Sequence, residues 1–470
     1  MLRPWLLLLD IYQEKGEPLY IRIVNGIISA IKKGRLKQGE VLPGSRQMSA
    51  IMKVNRNTIT KAYEILISEG WLVSKDRKGT FVSEHLHLTS AINNNMLISD
   101  LKEQNKKVGS IVFDTGLPDP LFTPIDEIAR AYRRIFRIKS KQNILDSGNE
   151  YGYDKFRIAV SQMLNLNKGM NTSAKEICIT RGSQMAFFLT AHCLLNAGDV
   201  VLIENPGYRP AWDAFEHAKA KLIPVKVEKD GIDVEMVKSI LSQTTVKAIY
   251  ITPHQQFPTT VTLSLSKRLE LIRLSNSYGF TIIEDDYDSD FYFGKRPKTP
   301  VCSHKELDNF VYISTLSKLI SPVIRIGYLY CNINLLRRIG KLRKTVDTQS
   351  DGIMEQAILE LIDSGDIRRH KKNVINHYLQ KRDTFTGLLY NYLGDKVTFQ
   401  VPDGGLAFWL SSPTNTDLFK IQNIALSKGL FFHSPERFSF SEPINGIRIG
   451  YASLTEYNME RGLKILSKIL

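Results

Sequence analysis

From about residue 170 onward the sequence is built of short apolar runs, at 200–203, 222–227, 248–251, 280–283, 311–313 and 324–330, separated by amphipathic stretches. Runs this short are strands rather than long helices, and their near-continuous apolar character means that both faces are covered. With helix-like segments such as 264–278 between some of them, they predict an α/β body around a mostly parallel or mixed sheet. The chain's 470 residues leave room for a further module, at about 150 residues per domain. Hydrophobic residues at 43% and charged residues at 24% are ordinary globular usage, which excludes collagen, coiled-coil arrays and wholesale disorder.

Ligand sites in such sheets gather at strand ends, and the strand ends here carry the unusual polar residues. Ser314-Thr315-Leu316-Ser317-Lys318 follows the run at 311–313 and precedes Arg325. A lysine among small hydroxyls suits Schiff-base chemistry with a phosphorylated aldehyde, because the hydroxyls and Arg325 can bind phosphate beside the amine. Glu284-Asp285-Asp286-Tyr287 ends another buried run. A carboxylate there can keep a pyridinium nitrogen protonated while a phenol bonds the ring oxygen. The plain alternatives are a capping acidic loop or a metal site, and no His or further carboxylate at a matching strand end supports a metal. Thr180-Arg181-Gly182-Ser183-Gln184 opens an apolar helix whose first N–H groups form a phosphate cradle, although alone it reads as an N-cap. Glu204-Asn205-Pro206-Gly207-Tyr208 presents an aromatic that can stack on a planar cofactor, and taken singly it is a loop.

The first 84 residues follow another pattern. They hold 14 Lys/Arg against 8 Asp/Glu, a net +6 of the chain's +15, so the most basic part of the protein is its first module. Apolar residues recur at helical spacing over 20–33 and Gly34 closes the segment. A turn-rich stretch at 39–44 leads to Ser45, an N-cap candidate for a helix through Met52, and Asn55 opens a third helix that Gly70 ends. Two strand-like runs, 71–73 and 80–82, flank a basic tip at 75–79. Three short helices and a basic hairpin outline a winged helix-turn-helix. Arg56, Asn57, Thr58 and Lys61 stand where a third helix meets base edges in the major groove, and Lys75, Arg77 and Lys78 stand where a wing meets phosphate or the minor groove. Any single lysine among these reads first as a solvated charge, and it is the ordered set that points to DNA.

The segment 84–110 is polar and weakly periodic, as expected of a linker, and its His85 and His87 have no accompanying ligand cluster. Residues 5–11 read as a short strand, since Asp10 ends the apolar opening too early for a signal peptide. Cys178, Cys193, Cys302 and Cys331 form no C-x-x-C pair, so reduced, unligated thiols in a cytosolic protein are expected, with no metal. No run of about 18 apolar residues suggests a membrane span.

Two resemblances add to this reading. Leu42-Pro43-Gly44-Ser45-Arg46, Asn55-Arg56-Asn57-Thr58, Ala62-Tyr63-Glu64, Glu69-Gly70-Trp71-Leu72 and Gly79-Thr80-Phe81-Val82 resemble, in order, the winged helix of GntR-type transcription regulators. The four strand-end motifs together resemble a fold type I pyridoxal-phosphate aminotransferase, and the whole chain is similar to the MocR/GabR subfamily of GntR regulators. The resemblance implies a winged helix-turn-helix at 1–84, a linker at 85–110, and an aminotransferase-like α/β body at 111–470. That body would have a large part at about 150–335 and a small C-terminal α+β lobe at about 336–470.

It also implies roles. Arg46 and the residues of the third helix and wing would contact a double-stranded operator. Lys318 would form the internal aldimine with pyridoxal 5'-phosphate, Asp285 would pair with the pyridine nitrogen, and Tyr287 would bond the ring hydroxyl. Ser183, Gln184, Thr315, Ser317 and Arg325 would hold the phosphate, Tyr208 would stack on the ring, and Arg448 would take a substrate carboxylate. The choice of Asp285 over Asp286 comes from the resemblance, since alternation says only that the two face opposite ways. The implied function is a cytoplasmic, homodimeric transcription regulator that senses an amine or amino acid through external aldimine formation at Lys318. The alternative is a working aminotransferase with an accessory basic module. Three loops depart from the family pattern: 254–260 lacks the usual final glycine, 147–152 lacks a tyrosine, and 405–407 ends in Ala407 instead of histidine.

Overall fold

The structure, a computed structural model, describes residues 18–32, 34–75, 79–83, 110–138, 149–294, 298–413, 416–440 and 444–470. The strand expected at 5–11, nearly all of the polar connection at 85–110, the wing residues Arg77 and Lys78, and Ser147 and Gly148 lie outside the described residues. The chain divides into two units, Met1–Lys106 and Lys107–Leu470.

In the first unit, α1 (Leu19–Lys32) buries Ile23, Val24, Ile27 and Ile31 on one helical face. It meets α2 (Ser45–Met52) and α3 (Arg56–Ser68), which buries Ile59, Ala62, Tyr63 and Leu66. The stretch expected as a turn contains a short strand, β1 (Val41–Leu42), which pairs with the antiparallel hairpin of β2 (Leu72–Lys75) and β3 (Gly79–Val82) in the order β1-β3-β2. Ser45 is not the cap of α2. Gly44 occupies the N-cap position, and the Ser45 hydroxyl instead accepts from Arg56 Nε at 3.4 Å, tying the starts of α2 and α3 together. Asn55 does cap α3, its side chain accepting the Asn57 N–H at 2.9 Å.

The second unit is organised by an eight-stranded mixed sheet. In chain order its strands are β5 (Ile177–Thr180), β6 (Val200–Asn205), β7 (Lys221–Glu228), β8 (Gly231–Ile232), β9 (Val246–Ile251), β10 (Thr281–Asp285), β11 (Phe310–Thr315) and β12 (Gly327–Cys331), after the separate β4 (Ile111–Phe113). The spatial order is β5-β12-β11-β10-β9-β6-β7-β8, with β12 antiparallel to both neighbours and β8 antiparallel to β7. The last strand starts later than the apolar run at 324–330 suggests, because Arg325 adopts φ 53 and breaks the extended chain.

Alternation divides the sheet's side chains between two cores. One face sets Ala248, Tyr250, Ile283, Val311 and Ile313 against α6 (Gly182–Leu194) and α7 (Arg209–His217). The other sets Ile249, Ile251, Ile282 and Tyr312 among residues of α5 (Asp154–Lys168), α9 (Leu265–Tyr278) and α11 (Gly352–Asp363). The remaining helices are α4 (Ile125–Ile138), α8 (Val234–Leu241), α10 (Ile333–Asp347), α12 (Asp366–Leu393), α13 (Leu418–Ser427) and α14 (Glu456–Ser467). After α12 come β13 (Thr398–Phe399), β14 (Ala407–Ser411) and β16 (Gly446–Gly450), an antiparallel sheet, while β15 (Leu430–Phe432) pairs in parallel with β4. Among the described residues no helix is long and apolar enough to cross a membrane, and no group of three or more His, Cys, Asp or Glu is placed to hold a metal. All four cysteines are buried and free.

Candidate functional site

The parity of β10 separates its terminal carboxylates. Ile283 lies opposite Tyr250 across the β9–β10 pair, and Asp285, two residues on, shares that face. Its Oδ2 accepts from Tyr250 Oη at 2.9 Å, whereas Oδ1 is buried without a hydrogen-bond partner. Burial pushes the Asp285 carboxyl up to about 7. Asp286 is on the other face, held by His254 Nδ1 at 2.6 Å, Tyr312 Oη at 2.5 Å and Lys168 Nζ at 3.2 Å. Burial alone would raise its carboxyl, but Lys168 and His254 outweigh it and hold Asp286 well below the usual range. The two aspartates are therefore unlike: one belongs to a satisfied ion cluster and the other has an acceptor to spare.

Lys318 lies near Asp285, in the turn after β11. Its Nζ sits 4.5 Å from the centre of the Tyr287 ring and 3.3 Å from Asp288 Oδ1. Tyr287 donates its hydroxyl proton to the Gln255 carbonyl at 2.9 Å, and Arg448 reaches the same phenol oxygen at 3.4 Å. Arg448 is 1% exposed and fixed by carbonyls of Thr115 at 2.8 Å and Pro258 at 2.7 Å, with its guanidinium 4.6 Å from the Phe257 ring centre. Phe257 in turn meets Tyr208 edge to face at 5.0 Å. Burial pushes the Tyr208 phenol up to about 12.

A third group forms at the start of α6. Gly182 adopts φ +73, and a Cβ there would stand 2.7 Å from the Arg325 guanidinium, so only glycine lets the arginine close over the helix start. No side chain caps this helix, which leaves the first N–H groups, those of Ser183 and Gln184 among them, for a ligand. Thr315 Oγ1 and Ser317 Oγ both donate to the Ile326 carbonyl, at 2.8 and 3.3 Å, and the Gln184 amide donates to Pro210 O at 3.0 Å.

Pyridoxal phosphate fits these residues. Asp285 Oδ1 lacks the donor that a protonated ring nitrogen provides, and an uncapped helix N-terminus beside an arginine suits a phosphate. Between them the ring would have Tyr208 and Tyr287 as neighbours and Lys318 within reach. Sequence reading missed Tyr250, Phe257 and Asp288. Tyr250 was legible as a polar tip inside an apolar strand run, whereas Phe257 and Asp288 lie in irregular loops with no periodicity to reveal them.

The departing loops fall into place individually. Thr260 stands where the family pattern has glycine, and it adopts a left-handed backbone at φ 63. His254 belongs to the Asp286 cluster and also approaches Thr299 O at 3.2 Å. Gly405 adopts φ +76, and Ala407 is buried at the start of β14. Of 147–152, the Tyr151 N–H donates to Asn149 Oδ1 at 2.8 Å, and the Tyr151 ring lies against Gly340.

In the first unit, Arg46, Arg56, Asn57 and Lys75 are exposed, and Thr58 is half-buried. Lys61 is exposed but its ammonium rests 4.1 Å from the Tyr20 ring centre on α1. Tyr63 Oη donates to Pro43 O at 2.8 Å, fixing α3 against the turn before α2.

Comparison with known proteins gives a consistent result. The profile of the aminotransferase class I and II family matches residues 111–466, and that of the bacterial regulatory proteins of the gntR family matches 19–82. The chain is 24% identical to the probable rhizopine catabolism regulatory protein MocR of Rhizobium meliloti, over 98% of this chain and 95% of that protein. It is 26% identical to the HTH-type transcriptional regulator YisV of Bacillus subtilis, over 95% of each. The fold is similar to the crystal structure of a multiple substrate aminotransferase from Thermococcus profundus, with a TM-score of 0.74 and 24% identity over 82% of this chain and 96% of that one. The chain belongs to the aminotransferase class I and II family, joined on its N-terminal side to a domain of the gntR family of bacterial regulatory proteins.

Proposed function

We propose that this chain is a pyridoxal-phosphate-dependent, DNA-binding transcription regulator that senses an amine or amino acid through exchange at Lys318. In this reading it is cytoplasmic and homodimeric, with a DNA-binding domain at 1–84, a linker at 85–110 and an effector domain at 111–470. The observation that carries it is the pairing of a spare carboxylate oxygen on Asp285 with an uncapped helix start beside Arg325, on a chain that also has a gntR-family domain. When bound, the cofactor supplies an aldehyde for amine exchange and an electron-withdrawing ring.

The chain's own residues would do the rest. Asp285 holds the proton of the ring nitrogen, and Tyr287 orients the ring through its hydroxyl. Ser183, Gln184, Thr315, Ser317 and Arg325 bind the phosphate, with the two hydroxyls turning from the Ile326 carbonyl to do so. Tyr208 flanks the ring, and Arg448, anchored by two carbonyls, offers its remaining donors to an effector carboxylate. Arg46, Arg56, Asn57, Thr58, Lys61 and Lys75, with Arg77 and Lys78, would contact a double-stranded operator. A net charge of +6 over residues 1–84 supports that assignment.

The test is reconstitution with pyridoxal phosphate followed by borohydride reduction and peptide mapping. A visible chromophore fixed on Lys318, lost in Lys318→Ala and shifted by an amine or amino acid, supports the proposal. No chromophore, or steady amino transfer to a 2-oxo acid at ordinary enzyme rates of about 1–1,000 per second, counts against it.

A further inference from the structure

Asp288 lies just beyond β10, and its side chain is 1% exposed. Its Oδ1 accepts from Lys318 Nζ at 3.3 Å, and its Oδ2 is buried with no hydrogen-bond partner. Nearby, Gln255 Oε1 is a second buried acceptor without a donor. Both converge on Gly405, where a Cβ would stand 3.0 Å from Asp288 Oδ2 and 3.4 Å from Gln255 Oε1. A side chain at 405 would press on the carboxylate and displace it. The lysine amine is thus held between the face of Tyr287 and one carboxylate that, among the described residues, is its only ion-pair partner.

We propose that Asp288 is the positioning residue of Lys318: it favours the ammonium form of the lysine amine whenever that amine is not bonded to cofactor, and so favours its release when an effector amine arrives. The inference rests on the reading of Lys318 as the cofactor lysine. When bound, the cofactor would supply a carbon that Lys318 Nζ and the effector nitrogen exchange, each bond made to the effector replacing one to the lysine. The lysine nitrogen would take up the protons that the effector's ammonium nitrogen gives up, and so become an ammonium beside Asp288. Asp288 Oδ1 would then face that cation in a buried site, where a paired charge is favoured over an unpaired one. Burial works against the ammonium and shifts the Lys318 amine downward; Arg448 also opposes the charge, Asp288, Asp114 and Asp285 favour it, and the Tyr287 ring centre lies 4.5 Å away. Among the described residues, Asp288 is the one acid within ion-pair distance of it.

The test is the pH profile of Lys318 acylation by acetic anhydride in cofactor-free protein, read by peptide mass spectrometry against an internal exposed lysine. Asp288→Asn should move the midpoint down by about one pH unit, so that Lys318 reacts roughly tenfold faster below the wild-type midpoint. Asp288→Glu should return the profile most of the way to wild type. Should Asp288→Asn not fold, Asp288→Ser, which is neutral and smaller, gives the same readout. A neutral variant whose profile superimposes on wild type overturns the inference. That failure is distinguishable from failure of the functional proposal, in which wild-type protein would give no borohydride-fixed adduct on Lys318 at all.

Discussion

Asp285 and Asp286 are consecutive residues whose carboxylates face opposite sides of the central sheet, one bonded to Tyr250 Oη at 2.9 Å and the other to His254 Nδ1 at 2.6 Å. Their substitutions should separate accordingly. Asp286→Asn leaves Lys168 and His254 without their shared anion and should cost about 3–5 kcal/mol of stability, measured by denaturant unfolding of the body. Asp285→Asn breaks no ion pair and should leave the fold intact while abolishing the amine-responsive chromophore. Equal losses of stability in the two variants would contradict the division.

Stability of the cofactor-free protein should depend on pH through Asp285. The carboxyl titrates near 7 in the folded state and near 3.9 when unfolded. Below about pH 4 both states hold the proton, so the group adds no difference. Between about 4 and 7 the folded state keeps a proton that the unfolded state has lost, so stability falls as pH rises, and above about 7 the deficit is constant. Comparing unfolding midpoints at pH 5 and pH 8, Asp285→Asn should gain roughly 2–3 kcal/mol on wild type across that interval. Parallel pH profiles would show that the carboxyl is not raised.

Thr260 carries a left-handed backbone, at φ 63, with a β-branched side chain, and its N–H closes the turn on Gln256 O at 2.7 Å. Glycine relieves that strain without touching the hydrogen bond. Thr260→Gly should raise stability by about 1 kcal/mol, read as a higher unfolding midpoint. An unchanged or lower midpoint would mean that the hydroxyl's neighbours matter more than the backbone.

On a selected operator, Arg46→Ala and Arg56→Ala should each lower the slope of log affinity against log salt by about 1. Lys61→Ala should lower it less, because that ammonium already sits 4.1 Å from the Tyr20 ring. Asn57→Ala should keep the slope and relax discrimination at one base pair by about 1–3 kcal/mol, measured by competition with substituted operators. Uniform loss across sequences on Asn57→Ala would assign it to the phosphates.

Much of this architecture was legible because its signals are periodic. Apolar spacing located α1, Asn55 and Gly70 bounded α3, and the short apolar runs located β6, β7, β9, β10 and β11, since burial on both faces leaves a compositional trace. Motifs at strand ends brought Lys318, Asp285, Tyr287 and Arg325 forward, and the family resemblance added Arg448. What sequence could not provide was the third dimension of irregular segments. Val41 and Leu42 read as part of a turn because a two-residue strand has no period. Ser45 had the chemistry of a cap, but the position one residue earlier was taken by Gly44 and the hydroxyl turned to Arg56. Arg325 looked like part of a strand, yet it reaches Gly182 from a left-handed backbone that composition does not encode. Asp288 was one acid among several until its burial and its contact with Lys318 set it apart.

The most direct measurement of the central claim follows operator affinity and the visible spectrum of cofactor-loaded protein in one titration with a panel of amines and amino acids, in parallel with Lys318→Ala. An effector that shifts the spectrum should change operator affinity over the same concentration range, with neither change in the variant. A full spectral shift with operator affinity unchanged would contradict the account.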